Sequence, residues 1–174
     1  MKSIQDFLQN MDPPFESIEI QTKEIVFEER VKLACFNCPR YGVNHTCPPN
    51  IPPVDYVKVV NEYNHALLVW SITPFDENTA STARRESTVS LHRALLDAEK
   101  FFYDKSNSLA TSFIGGSCKL CSQGCSKESC RQPALSRIPM EASGINVVET
   151  CRKQGIRVSF PATESFYRIG LLLW

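Results

Sequence analysis

Seven of the eight cysteines in this 174-residue chain fall into two compact groups. The groups are Cys35-x2-Cys38-x8-Cys47 and Cys118-x2-Cys121-x3-Cys125-x4-Cys130. Disulfides across such short loops would remove little entropy from the unfolded chain, so the second group is poorly suited to structural bridges. Several thiolates that converge on one point can instead hold a metal ion or an iron–sulfur cluster. The spacing therefore predicts metal ligands.

The second group supplies four thiols, which suit either a tetrahedral zinc ion or a [4Fe-4S] cluster. Zinc sites commonly pair two Cys-x2-Cys knuckles that lie about a dozen or more residues apart. This group has one knuckle, unequal short steps and Pro133 soon after Cys130, which loosely resembles the bacterial ferredoxin pattern. We predict a [4Fe-4S] cluster here, with zinc as the alternative and disulfides or free thiols as a third reading. In ferredoxin-like runs the last cysteine can serve a second cluster, so Cys130 could belong elsewhere.

The first group supplies three thiols, and a cluster held by three cysteines leaves one iron open to a further protein ligand or to a substrate. Cys151 and His45 are the candidates for that ligand. The alternative for Cys151 is a buried small apolar residue, since free cysteine is among the most buried residue types. The alternative for His45 is a loop imidazole hydrogen-bonded to backbone.

Basic residues flank the second group, namely Lys119, Lys127, Arg131 and Arg137. Their charge could offset a negative cluster and raise its reduction potential, could dock an acidic redox partner, or could simply be solvated.

Composition and charge limit the possible classes of function. The formal net charge is zero and the pI is about 6.8, so there is no long-range field to attract nucleic acid, and we expect no nucleic-acid binding. The N-terminus lacks a long apolar stretch, and no apolar run approaches the roughly 20 residues of a membrane span. We therefore expect a cytoplasmic protein, in a reducing compartment where clustered cysteines bind metal or do redox chemistry.

The elements that must position these cysteines are predicted to form one small α/β (or α+β) domain that spans residues 1–174. Two cysteine-rich loops are expected at about 34–53 and 116–133. A continuous apolar strand, a long helix with one apolar stripe and a second strand follow one another, which predicts a mixed sheet with a right-handed parallel βαβ crossover. The expected strands are 18–27, 66–72, 109–114, 156–160 and 166–174, and the expected helices are a short N-terminal one, one from Val54, 82–103 and 139–154.

Four motifs together resemble a known family. They are Cys35-x2-Cys38-Pro39-x-Tyr41-Gly42, Thr46-Cys47-Pro48-Pro49, the second cysteine run, and Glu141-Ala142-x-Gly144-Ile145. They are similar to a domain-of-unknown-function family of cysteine-rich predicted metal-binding proteins, frequent in anaerobic bacteria and archaea. The resemblance runs from about Val26 to the C-terminus and implies metal or iron–sulfur binding through the seven grouped cysteines, with no defined reaction. Family members carry an aromatic residue before Cys-Pro-Pro, where this chain has His45-Thr46.

The leading functional prediction is an iron–sulfur protein with one or two [4Fe-4S] clusters that passes single electrons to a redox partner protein. One alternative is an enzyme in which a three-cysteine cluster binds a small-molecule substrate at its open iron. Another alternative is a scaffold or binding module that zinc stabilises through folding alone.

Overall fold

A four-stranded sheet forms the centre of the protein. The computed structural model describes residues 3–106, 108–159 and 161–174. The strands are β1 (Glu16–Ile20), β2 (Ala66–Pro74), β3 (Thr111–Phe113) and β4 (Ser165–Leu173), in the spatial order β1-β2-β4-β3. The helices of the described residues are α1 (Ile4–Gln9), α2 (Glu29–Phe36), α3 (Tyr56–Asn61), α4 (Ala80–Ser106) and α5 (Val147–Lys153), with a 3-10 turn at Thr22–Glu24.

Every pairing in this sheet is antiparallel, so the predicted parallel crossover is wrong, although the mixed α/β class is confirmed. β2 and β3 are joined through α4 and run in the same direction, but β4 lies between them and pairs with both. The reason is the composition of β4. Leu171, Leu172 and Leu173 are completely buried, and a strand with apolar residues on both faces is most stable at the centre of a sheet.

One face of the sheet is covered by α4, as its apolar stripe predicted. Leu91 and Leu95 of this helix pack with Leu67 of β2 and Leu172 of β4 in one buried cluster. Burial of each such leucine side chain stabilises the fold by about 2 kcal/mol. The helix spans the predicted range 82–103 and extends beyond it at both ends.

The opposite face is covered by the last third of the chain together with α3. Leu68 and Leu171 pack there with Met140, Ile145 and Cys151. The sheet is therefore buried on both sides, and the cysteine segments extend from its edges.

The predicted helix 139–154 begins only at Val147. Asn146 caps α5, because its side-chain oxygen accepts a hydrogen bond from the Glu149 amide at 3.0 Å. The stretch before it is held to other parts of the chain instead: Pro139 forms a bridge with Ile114, and Ile145 with Phe27. The predicted strand 156–160 is also wrong over residues 156–159, which form no strand, while residue 160 lies outside the described residues.

Other boundaries shift by smaller amounts. The predicted strand 18–27 ends at Ile20, and the 3-10 turn at Thr22–Glu24 follows it. The helix expected from Val54 begins at Tyr56, after the N-cap Asp55. The strand expected at 109–114 narrows to Thr111–Phe113. Across the described ranges, none of the helices combines the length and apolarity that a bilayer crossing needs.

Candidate metal centre

The first cysteine segment (residues 34–53) begins inside a helix. Cys35 occupies the last turn of α2, which corrects the expectation that the whole segment is a loop. The chain then turns, because the Cys38 amide donates to the Cys35 carbonyl at 3.1 Å and the Tyr41 amide to the Cys38 carbonyl at 2.9 Å. The thiol side chain of Cys38 is exposed, whereas Cys47 is buried.

Cys47 returns to the start of the segment. The Gly42 amide donates to the Pro48 carbonyl at 2.8 Å and closes the loop, with Gly42 in the left-handed region at φ 67°. Burial raises the pKa of Cys47 to about 11, and the charges of Cys35 and Cys38 add to that shift. The structure therefore brings the three predicted thiols of this segment near one another.

The second cysteine segment (residues 116–133) follows directly after β3, as the sequence predicted. Its four cysteines, Cys118, Cys121, Cys125 and Cys130, all line one cavity of about 290 Å³. Nearby side chains support the loop: the Gln132 amide donates to the Cys121 sulfur at 3.4 Å, and Arg131 donates to the Gly124 carbonyl at 3.1 Å. The cavity thus gathers four thiols from thirteen consecutive residues.

Two hydrogen bonds join the two cysteine segments. His45 Nε2 donates to the Ser126 carbonyl at 2.9 Å, and the Asn44 amide donates to the Cys118 carbonyl at 3.4 Å. His45 is thus the backbone-bonded loop imidazole that the sequence left as an alternative to a ligand. The charge of Cys118 also contributes to the raised pKa of Cys47, so the two thiol groups adjoin.

The cavity of the second segment is strongly basic. The cations in its lining are Arg40, Arg84, Arg85, Lys119 and Arg131, and within the part of the chain that the structure describes no carboxylate lines it. Burial lowers the pKa of Lys119, and the nearby Arg168, Arg40 and Arg84 lower it further. Arg137, expected in this basic group, instead pairs with Glu99 of α4 at 2.5 Å, and Lys127 is absent from the lining.

Glu141 is the acidic counterpart beside the first segment. Its carboxylate accepts a hydrogen bond from the Gly116 amide at 3.1 Å, and burial raises its pKa. Its charge contributes to the raised pKa values of Cys35 and Cys47. The sequence signal for Glu141 is its place in the motif Glu141-Ala142-x-Gly144-Ile145.

Cys151 lies apart from this arrangement. It is completely buried on α5, in the cluster that also contains Met140 and Ile145. Burial alone raises its pKa to about 12, with no contribution from another cysteine. Its surroundings are those of a small apolar core residue.

All eight cysteines are free thiols. Among residues 3–106, 108–159 and 161–174, no three His, Cys, Asp or Glu side chains converge closely enough to hold one metal ion. A cuboidal cluster binds each thiolate at a separate iron, so its ligands stand further apart than the ligands of a single ion. The Thr46 hydroxyl lines the cavity of the second cysteine segment and is buried without a hydrogen-bond partner in the described structure. Such an unpaired hydroxyl is expected where a bound group would supply the acceptor.

Two adjoining groups of thiols are the features expected of a cysteine-rich metal-binding protein. The chain belongs to DUF2284, a family described as predicted metal-binding proteins, whose sequence profile matches residues 18–174. This membership confirms the resemblance drawn from the cysteine motifs, and the description names neither a metal nor a reaction. No similar curated protein and no similar solved structure was found.

Proposed function

We propose that the second cysteine segment binds a [4Fe-4S] cluster through Cys118, Cys121, Cys125 and Cys130 and that the protein transfers single electrons. The observation that carries this proposal is that all four cysteines line one cavity as free thiols. A cluster bound there would supply one-electron redox chemistry. The residues of the chain would hold the cluster and tune its potential.

The arrangement of the thiols favours a cluster over a single zinc ion. Structural zinc sites hold four ligands in a compact tetrahedron. Such sites commonly pair two Cys-x2-Cys knuckles, whereas this segment has one knuckle and unequal short steps. Zinc that stabilises a scaffold remains the competing proposal, and metal analysis separates the two.

Side chains around the cavity would tune the potential of a bound cluster. The Gln132 amide already donates to the Cys121 sulfur, and hydrogen bonds to sulfur stabilise the reduced, more negative state. Lys119 and Arg131 act in the same direction through their positive charge. The Thr46 hydroxyl offers one more donor.

A redox partner protein would meet an apolar surface at the first segment. Leu33, Phe36 and Val43 are 64%, 61% and 53% exposed, near the exposed Cys38. Exposed apolar side chains around a redox centre are suited to a transient protein contact. This surface supports electron transfer to a partner protein.

The first segment supports a second candidate function, an enzyme whose three-cysteine cluster leaves one iron for substrate. The observation that favours it is the count of thiols. Cys35, Cys38 and Cys47 adjoin, whereas Cys151 is packed in the core. Glu141 lies near enough to influence two of these cysteines and could take part in proton transfer.

The test is strictly anaerobic purification followed by iron, sulfide and zinc analysis. We expect a brown protein with broad absorption at roughly 400 nm and about four irons and four sulfides for each cluster. Cys121→Ser should remove the metal of the second segment, whereas the matched variant Cys151→Ser should retain it. A colourless protein with stoichiometric zinc and no iron or sulfide would overturn the proposal.

The second candidate is tested by electron paramagnetic resonance of the reduced protein. Cyanide added to a cluster with an open iron should change its spectrum, and that change should disappear in Cys38→Ser. A spectrum that cyanide leaves unchanged would contradict an open iron and leave electron transfer as the function.

A further inference from the structure

A second cavity of about 610 Å³ lies along β4, beyond the point where β3 ends. β3 pairs only with Leu171–Leu173 of β4, and Gly115 and Gly116 then lead the chain away from the sheet. The stretch of β4 that β3 leaves unpaired borders the cavity, and α2 and α5 contribute to the cavity walls. Small-molecule sites commonly measure about 300 to 1,000 Å³, so this space is large enough for a ligand of its own.

Two guanidinium groups are held together at one end of this cavity. Arg84 of α4 and Arg168 of β4 both stand over the ring of Phe166, at 5.0 and 4.8 Å from its centroid. Arg168 is fixed further, because its Nε donates to the Ser87 hydroxyl at 2.9 Å. Both side chains line the cavity, and Lys119 joins them in its lining.

These three cations lack an acidic partner. In the described ranges, none of Arg84, Lys119 and Arg168 has a carboxylate oxygen within 4.0 Å. Glu141 is the one carboxylate in the described lining, so it offsets only part of their charge. Like charges at such short range repel, and a bound anion would relieve that repulsion.

Arg84 is also free to bind. Its guanidinium makes no hydrogen bond to any residue that the structure describes, so its donors are available to a ligand. A planar guanidinium forms two parallel hydrogen bonds with the paired oxygens of a carboxylate or of a phosphate. The head group that fits this end of the cavity is therefore an anion with paired oxygens.

Arg30 and Asn146 also line the cavity, and most of the remaining lining is apolar. Val31 and Ala34 of α2 face the cavity from one side, and Val147 and Val148 of α5 from another. Val148 is 46% exposed, so part of this apolar surface is left in contact with water. A ligand with a hydrocarbon body would cover it and gain roughly 25 cal/mol for each Å² removed from water.

We propose that this cavity binds a small organic acid, with its carboxylate against Arg84 and Arg168 and its apolar body against the valines of α2 and α5. A singly charged head group suits the site better than a phosphate dianion, because a carboxylate costs less to remove from water between the apolar walls of this cavity. The inference goes beyond electron transfer and requires no metal. Ala34 adjoins Cys35, so an acid bound here would lie next to the first cysteine segment.

The probe is 3-phenylpropionate, titrated into the full chain by isothermal calorimetry, with the neutral 3-phenylpropionamide as its matched control. We expect saturable binding of the acid and at least about tenfold weaker binding of the amide. Arg84→Gln should weaken the acid about tenfold, because it removes one guanidinium fork. Arg93→Gln, an exposed position further along α4 that lines neither this cavity nor the cavity of the second cysteine segment, should leave binding within about twofold.

Three results would overturn the inference: no saturable binding of the acid, equal binding of acid and amide, or equal losses in Arg84→Gln and Arg93→Gln. Tighter binding of 2-phenylethyl phosphate would contradict the carboxylate and assign the site to phosphate esters. Repeating the titration on Cys121→Ser separates this inference from the proposed cluster. Binding that persists without metal in that segment supports the cavity even if the cluster proposal fails.

Discussion

β4 and the second cysteine segment adjoin in the structure and differ in burial, regularity and charge. Leu171 to Leu173 of β4 are completely buried and paired on both sides. None of residues 116–133, all of them described, is buried or lies in a helix or strand. β4 carries one cation, Arg168, whereas the cavity of the segment is lined by five.

This difference indicates how the chain divides its tasks. Apolar burial in the sheet stabilises the fold, so the segment can present thiols and cations without contributing a core of its own. The two regions still depend on each other at a few contacts. Substitutions at those contacts show whether the division holds.

Gly115→Ala should cause the largest loss, about 3 kcal/mol in the free energy of unfolding. A β-carbon at this position would lie 2.2 Å from the Ile169 carbonyl oxygen, which is backbone and cannot rotate away. The matched variant is Gly116→Ala, which meets open space but has φ 73° and should lose about 1 kcal/mol. Urea unfolding measures both. Equal losses would show that the close contact between segment and sheet is unimportant.

Acid should destabilise the core through His92 rather than through the cysteine segments. Burial lowers the pKa of His92 to about 4 from its ordinary value of 6.5, and its Nε2 donates to the Leu135 carbonyl at 2.9 Å. Between pH 6.5 and 4 the unfolded state binds a proton that the folded state does not. Stability is therefore complete above pH 6.5 and should fall by up to ~3 kcal/mol as the pH drops to 4.

The variant His92→Gln isolates this effect, because glutamine keeps a donor for Leu135 and does not titrate. The difference in unfolding free energy between the two proteins should change with pH only between 4 and 6.5. Carboxylates with lowered pKa values, such as Glu28, act on both proteins alike and cancel. A difference that stays constant with pH would contradict the neutral buried histidine.

The ion pair between Arg137 and Glu99 connects the end of the second segment to α4. The two side chains are 22% and 13% exposed, and Arg137 Nε donates to the carboxylate at 2.8 Å. Arg137→Met should cost about 2 kcal/mol, since it leaves a partly buried carboxylate with no cation and with the Ser112 hydroxyl as its remaining donor. The exposed pair of Lys100 and Asp104 is the control, and Lys100→Gln should leave the unfolding temperature nearly unchanged. Thermal unfolding compares them.

The smallest effect is expected at an exposed cysteine. Cys125→Ser in metal-free protein should change the unfolding free energy by less than about 0.5 kcal/mol, because its thiol is exposed. Cys151→Ser should cost about 2 kcal/mol, because it places a hydroxyl in the apolar core. Urea unfolding of both variants measures this difference. A large loss at Cys125 would mean that the thiols of the segment support the fold without metal.

The parts of the fold that could be predicted from the sequence are those with strong local patterns. The stripe that includes Leu91 and Leu95 predicted α4, and the apolar run from Ala66 predicted β2. The position of β4 could not be predicted, because an apolar strand does not reveal which strands it pairs with. The late start of α5 carried a readable signal in Asn146, which precedes Glu149 by three residues as in a capped helix.

The candidate metal centre has a local pattern, as α4 does. Its cysteines are close in sequence, so spacing alone grouped the seven of them, and that they bind metal stays a prediction. The cavity beside β4 is different: Arg84, Lys119 and Arg168 come from three distant parts of the chain. Only the folded sheet brings them together, and no local pattern predicts that.

The central place of β4 has a consequence for how the protein is made. Both cysteine segments precede this strand in the chain, and β4 is the partner that holds β2 and β3 in one sheet. A chain emerging from the ribosome therefore exposes all seven grouped thiols before the strand that completes the sheet has been synthesised. Metal supplied at that stage would meet an accessible nascent chain, and translation of residues 165–173 would then complete the sheet.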